Sequence, residues 1–302
     1  MKLDRRQILM AGVSLPTLGA LPAFGAPPSA PRGAAGAKKF KKAVMLGMVQ
    51  HHGPLAERFA LLRECGFDGV ELDSPSDIRT EELLEAKRAT GIEVEGTVDS
   101  QHWSKPLSDP DEKVREAGRA ALVRSIEDCA AWGGTSVLLV PAVVNENVSY
   151  DAAWERSTAE IKKVLPVAER ARVKIAVENV WNNFLLSPLE AARYVDQFQS
   201  EWVGWHFDVG NVITFGWPEQ WIRILGKRIL KLHIKEYSRK RRDEEGRWKG
   251  FEVELGDGDN RWPEVVKALG EIDYEGWACA EVGGGPKERL LEISRRMDAI
   301  LG

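Results

Sequence analysis

Beyond about residue 40 the chain alternates short apolar, β-branched runs with longer stretches in which apolar residues recur every three or four positions. The short runs predict strands buried on both faces, and the longer stretches predict helices with one apolar stripe. Eight runs fall at residues 43–49, 69–73, 92–98, 136–141, 174–180, 203–208, 229–235 and 277–282. The helical pattern between them is clearest at residues 55–65, 111–132, 154–171 and 287–301. Start signals support it: Ser187-Pro188 precedes Leu189 and Asp109-Pro110 precedes Asp111, so a side chain can cap while proline suits the first turn.

Eight strand-then-helix units over residues 41–302 match the ~250 residues of a closed (β/α)8 barrel. The expected fold class is therefore α/β, a single-domain TIM barrel. A doubly wound open sheet would carry a Gly-x-Gly-x-x-Gly turn after its first strand, where Gly47-Met48-Val49-Gln50 stands instead. An echo between Gly66-Phe67-Asp68-Gly69 and Asp273-Tyr274-Glu275-Gly276 fits repeated units and is assigned no chemistry.

Composition narrows the classes of partner. With 43% hydrophobic and 29% charged residues the chain reads as an ordinary folded protein, not a disordered or fibrous one. Three scattered cysteines exclude a disulfide framework. A net charge of −4 supplies no basic footprint, which argues against nucleic acid as a partner.

Arg5-Arg6 precede an apolar run at residues 8–24 that ends in small residues, the pattern of an export signal over residues 1–26. The segment Asp4-Arg5-Arg6-Gln7-Ile8-Leu9-Met10 resembles a twin-arginine signal, which implies transfer of a folded protein to the bacterial periplasm. Pro16, Gly19 and Pro22 argue against a stable membrane span. Residues 27–40, rich in Pro, Gly and Ala, read as a flexible leader.

In such barrels active residues sit at the carboxyl ends of strands, and here those ends are acidic. Strand two ends with Glu71 and Asp73, strand three with Asp99 and then His102, strand five with Glu178, strand six with Asp208, strand seven with His233 and strand eight with Glu281. A lone carboxylate in an apolar strand is costly, whereas several converging on one cavity are held ionised by a divalent cation. Glu178, Asp208, His233 and Glu281 come from consecutive strands and form a hard, oxygen-rich set that suits Mn2+ foremost, with Co2+, Mg2+ or Zn2+ as alternatives.

The blocks Val177-Glu178-Asn179-Val180-Trp181-Asn182, His206-Phe207-Asp208-Val209-Gly210-Asn211, Lys231-Leu232-His233-Ile234-Lys235-Glu236 and Ala280-Glu281 resemble those of the xylose isomerase-like sugar isomerase/epimerase superfamily over residues 41–302. The resemblance implies one divalent metal on Glu178, Asp208, His233 and Glu281, with Glu178 and Glu281 also exchanging protons with a sugar substrate. Removing a proton beside a ketone leaves an enediolate, whose charge a divalent cation offsets as a Lewis acid. One carboxylate takes the proton and the other returns it from the opposite side, which inverts the carbon.

Where ketose 3-epimerases of this superfamily carry a glutamate and a histidine, this chain has Phe184 and Asn211, which argues against free ketohexoses. Arg239 sits in a charge run and reads as a solvated loop residue, while Lys235, two residues after His233, is expected to face the cavity mouth. Glu71, His102, Trp103, Trp181, Asn182 and Asn211 complete the expected substrate contacts, the indoles covering a sugar face and the polar groups binding hydroxyls. His51 and His52 are expected at the rim, and His206 in a deeper layer or behind the site. Gly283-Gly284-Gly285-Pro286 before the last helix is a weak phosphate signal, and with an export signal present an unphosphorylated sugar or keto-glycoside fits better. A non-catalytic sugar-binding barrel, a keto-glycoside lyase and an apurinic endonuclease remain as alternatives, the last disfavoured by only five histidines. Homo-oligomerisation is left open.

Overall fold

The computed structural model describes residues 39–302; the expected signal over 1–26 and nearly all of the expected leader lie outside the described residues. Eight parallel strands close into one barrel in chain order: β1 (Phe40–Met45), β2 (Gly69–Ser74), β3 (Glu93–Asp99), β4 (Ser136–Leu139), β5 (Lys174–Glu178), β6 (Val203–Asp208), β7 (Ile229–Ile234) and β8 (Gly276–Ala280). Outside it run α1 (Leu55–Glu64), α2 (Thr80–Thr90), α3 (Glu112–Trp132), α4 (Tyr150–Ala171), α5 (Pro188–Asp196), α6 (Pro218–Leu225), α7 (Arg239–Glu245), α8 (Trp262–Glu271) and α9 (Lys287–Leu301). The expected (β/α)8 barrel is thus the observed one. Among the described residues no helix is long and apolar enough to cross a membrane.

Boundaries differ from the sequence reading for local reasons. β1 begins at Phe40, inside the expected leader, because Lys39 and Phe40 pair against Gly276, and it stops at Met45 where Leu46–Met48 form a 3-10 turn. At Ser187 the cap forms as expected, its hydroxyl accepting from the Glu190 N–H with Pro188 in the first turn. For α3 the cap moves to Asp111, whose carboxylate accepts from the Lys113 N–H, while Asp109 instead accepts from the Asp111 N–H.

Two layers hold the barrel. Between strands and helices lies an apolar shell that includes Phe59, Phe67, Trp132, Phe207 and Trp205, each worth ~1.5–3 kcal/mol on full burial. Trp132 also ties α3 to α2, its indole N–H donating to Thr80 Oγ1 at 3.1 Å. Inside the barrel the core is polar. Lys231 on β7 stands 2.8 Å from Glu95 Oε2 on β3 and donates to the Glu95 carbonyl, both side chains being buried. Gly96 makes room for them, since a Cβ there would lie 2.6 Å from Lys231 Nζ and from the Ser136 carbonyl oxygen.

Burial pushes the Glu95 carboxyl above its ordinary range even with Lys231 beside it. Lys231→Met leaves that carboxylate uncompensated and is expected to destabilise the fold by ~3–5 kcal/mol at pH 8. A folded-state pKa raised above the unfolded ~4.3 favours folding at low pH and opposes it as pH rises. Urea unfolding should therefore show the deficit shrinking toward pH 5, and the double variant Lys231→Met, Glu95→Leu should recover most of it.

Candidate functional site

The strands deliver four side chains to one point. Strand pairing sets Glu178 level with His206 and Asp208 level with His233, while the Glu281 N–H donates to the Ile234 carbonyl just past the end of β8. One oxygen or nitrogen of each of Glu178, Asp208, His233 and Glu281 lies within 4.8 Å of the others. His233 Nδ1 is 3.0 Å from Glu178 Oε1 and 2.9 Å from Glu281 Oε2. Lys235 Nζ is 2.8 Å from Glu281 Oε2 and 3.1 Å from Asp208 Oδ2.

Asn179, which the sequence reading did not single out, fixes Asp208. Its amide N–H donates to the Asp208 carbonyl at 2.7 Å, and its oxygen accepts from the Asp208 N–H and from Trp205 Nε1, both at 3.0 Å. Asn211 extends the clasp, donating from its amide to the Asn179 carbonyl and from its backbone N–H to Asp208 Oδ1.

The electrostatics divide the carboxylates. Burial pushes Glu178 up to about 7 against the pull of His233. Glu281 is more exposed than Glu178, and against the cost of its partial burial Lys235 and His233 hold it well below the usual carboxylate range. Burial also raises Asp208, with Lys235 opposing. Asp208 Oδ2 and Glu281 Oε2 are buried without an aligned hydrogen-bond donor. Three carboxylates and one imidazole with unclaimed oxygens are the donor set of a hard divalent cation, so the residues present fit one.

A cavity of about 560 Å3 opens above this group, within the range of small-molecule sites. His102, Trp103, Trp181, Asn211 and Lys235 line it, as do Glu178, His233 and Glu281. Two expected substrate contacts do not. Glu71 is buried beneath the floor, its Oε2 2.8 Å from His233 Nε2, and Asn182 turns away to donate to the Ala142 carbonyl and accept from the Phe184 N–H. Asp73, two residues closer to the mouth than Glu71, takes the place on the wall, joined by Asp99.

Trp248 and Phe251 on the wall were not anticipated. They come from the segment between β7 and α8, which Glu236 anchors by accepting from the N–H groups of Gly256, Asn260 and Trp262 Nε1 at 2.7–3.1 Å. The signal available was an aromatic pair in an otherwise charged stretch. Trp181 packs at a tilt against Trp248 and Phe251, with ring centroids 4.8 Å and 4.9 Å away, and its indole N–H donates to the Asn211 carbonyl.

His102 accepts at Nδ1 from the Val140 N–H, and burial drives its pKa down to about 4, so the ring is neutral with its proton on Nε2. Elsewhere, Arg239 is tied to the Ile213 and Gly216 carbonyls, His51 pairs with Glu57 at the rim, and Phe184 packs among Tyr150, Trp154 and Tyr194. The glycine run serves packing: Gly285 exchanges backbone hydrogen bonds with Met48 and Gln50, and a Cβ on Gly284 would meet the Met48 carbonyl oxygen.

A closed βα barrel with a cavity and acidic residues at the carboxyl ends of its strands has the architecture of the TIM-barrel enzymes, whose active sites lie on that face. Within that class the chain belongs to the xylose isomerase-like TIM barrel family, whose model matches residues 59–299. A relative from Salmonella heidelberg (strain SL476), L-ribulose-5-phosphate 3-epimerase UlaE, is 26% identical over 211 residues, covering 65% of this chain and 74% of the relative. The apo structure of 3-keto-D-glucoside 4-epimerase YcjR from E. coli superposes with a TM-score of 0.71 at 18% identity, over 86% of this chain and 98% of that one. A structure of L-ribulose 3-epimerase gives a TM-score of 0.72 at 18% identity, over 87% and 94%. Family and relatives place the chain among the isomerase-class enzymes.

Removing the Asn179 clasp leaves the Trp205 indole N–H and the Asp208 N–H without acceptors. Asn179→Ala is expected to lower unfolding free energy by about 1–3 kcal/mol, read by urea denaturation.

Proposed function

We propose that this protein is a divalent-metal-dependent sugar isomerase or epimerase that moves a proton beside a ketone, acting on an unphosphorylated sugar or keto-glycoside. The observation that carries the reading is the meeting of Glu178, Asp208, His233 and Glu281 within 4.8 Å at the floor of the cavity. The names of the relatives add support. In L-ribulose-5-phosphate 3-epimerase, in L-ribulose 3-epimerase and in 3-keto-D-glucoside 4-epimerase the carbon that inverts neighbours the ketone carbon. Glu178, Asp208, His233 and Glu281 would hold the cation, Mn2+ foremost, and it supplies Lewis-acid stabilisation of negative charge on substrate oxygens.

The chain's own residues do the rest. Glu178 on β5 and Glu281 after β8 reach the cavity from strands well separated around the barrel, so they can address opposite sides of one carbon. One removes the proton and the other returns it. Lys235 keeps Glu281 charged and adds positive charge where the enediolate forms. His102 offers Nε2–H to a substrate oxygen, and Asp73 and Asp99 accept from hydroxyls. Trp103, Trp181, Trp248 and Phe251 supply apolar faces for the ring.

The wall carries Asp73, Asp99, Glu178 and Glu281 against one basic residue, Lys235, which is already paired twice. With a dication and Lys235 offsetting the ligand carboxylates, no unpaired basic side chain among the described residues lines the wall to receive a phosphate dianion, which supports an unphosphorylated substrate. Export to the periplasm is part of the reading, supported by Arg5-Arg6 ahead of the apolar run at 8–24.

The test is solvent-deuterium exchange into L-ribulose, its 5-phosphate and a 3-keto-glucoside, followed by product analysis. Chelation should abolish exchange and Mn2+ restore it. Glu178→Gln and Glu281→Gln should each lower it by roughly 10²–10⁴-fold. The phosphorylated sugar should show the lowest kcat/KM. Exchange that survives chelation and both substitutions overturns the mechanism, and exchange fastest with the phosphate overturns the substrate class.

A further inference from the structure

Beneath the cavity floor the barrel encloses a carboxylate that the proposed chemistry does not use. Glu71 on β2 is 2% exposed, and its Oε2 lies 2.8 Å from His233 Nε2. The other ring nitrogen of His233, Nδ1, is the one turned to Glu178 and Glu281. On the same side as Glu71, the His206 ring lies against His233 with centroids 4.1 Å apart, and its Nδ1 is 4.0 Å from Glu71 Oε1. Cys279 Sγ closes the other approach, 3.9 Å from Glu71 Oε2.

Burying a carboxylate this deeply carries a desolvation cost, and replacing a buried ion pair by well-packed apolar residues is often neutral or stabilising. A carboxylate does one thing that an apolar residue cannot. It accepts a hydrogen bond from one chosen ring nitrogen and so decides which nitrogen keeps the proton.

We propose that Glu71 is a positioning residue that holds the Nε2–H of His233 and thereby turns Nδ1, with its lone pair, toward the point where Glu178, Asp208 and Glu281 would hold a cation. The inference rests on the metal-centre reading above. Without the Glu71 acceptor the neutral ring can carry its proton on Nδ1, and an Nδ1–H cannot ligate. Glutamine at this position is nearly isosteric but can present an amide N–H to Nε2, which favours the wrong tautomer. Aspartate keeps the charge on a shorter arm. Ala at Cys279 removes the weak thiol donor to Glu71 Oε2 and leaves the His233–Glu71 hydrogen bond in place.

Mn2+ titration of the full chain by calorimetry, with the visible spectrum of the Co2+ form as a second readout, tests this. Glu71→Gln should weaken Mn2+ binding by about 10–100-fold and alter the Co2+ spectrum. Glu71→Asp should fall between Gln and wild type, and it carries the test if the Gln variant does not fold. Cys279→Ala should bind within twofold of wild type. Glu71→Gln binding within twofold of wild type, or Cys279→Ala losing as much as Glu71→Gln, overturns the proposal while leaving the metal centre in place. Wild type that binds no Mn2+, or that binds it equally well as Asp208→Asn, overturns the metal centre and this proposal together.

Discussion

Three carboxylates brought to one point in a buried barrel mouth repel one another, and the rest of the structure is organised around that repulsion. Two such charges 4 Å apart cost about 4 kcal/mol at an effective dielectric of 20. In this structure Lys235 and His233 supply the compensating charge, each within 3.1 Å of two carboxylates. The ligand positions cannot relax apart, because Asp208 is clasped on both sides of its peptide by Asn179, and Glu178 ends a strand paired on both edges. The folding energy of the outer apolar shell is what holds an acidic cluster together that would not assemble alone.

The polar interior below the site follows from the same demand. TIM barrels commonly fill the interior with branched aliphatic layers. Here β2, β3, β6 and β7 instead contribute Glu71, Glu95, His206, Lys231 and His233, all buried. Glu95 and Lys231 neutralise each other near the bottom, which leaves Glu71 to answer His233 above. An aliphatic floor would give His233 no acceptor on its inner side, and the imidazole would be free to turn. Stability is correspondingly concentrated outside the barrel, where Phe59, Phe67 and Trp132 pack helices onto strands.

Much of this was legible in the sequence because parallel strands buried on both faces leave unbroken apolar runs, and a carboxylate ending such a run stands out. Glu178 and Glu281 are of that kind. Depth was harder to read. Glu71 and Asp73 share a facing, two residues apart, and the sequence does not say how deep the floor lies, which in the structure falls between them. Asn182 fails for a different reason: the segment after β5 folds back so that its amide satisfies the Ala142 and Phe184 backbone. Trp248 and Phe251 stand out as aromatics in a charged stretch, but their placement depends on Glu236 collecting N–H groups twenty or more positions away. Periodicity has no access to a contact of that range.

Charge balance links the visible ligands to the hidden ones. A dication and the Lys235 ammonium balance the three ligand carboxylates, and a ring nitrogen that ligates must carry a lone pair and no proton. In the absence of a dication, the surrounding carboxylates draw His233 well above its ordinary pKa despite burial. Loading the centre therefore requires the ring to give up one proton, and it must be the one on Nδ1. His206, buried with both nitrogens unpartnered and its pKa held well below the ordinary value, cannot take part in that exchange. The choice of nitrogen falls to the carboxylate hydrogen-bonded to the far side of the ring, Glu71.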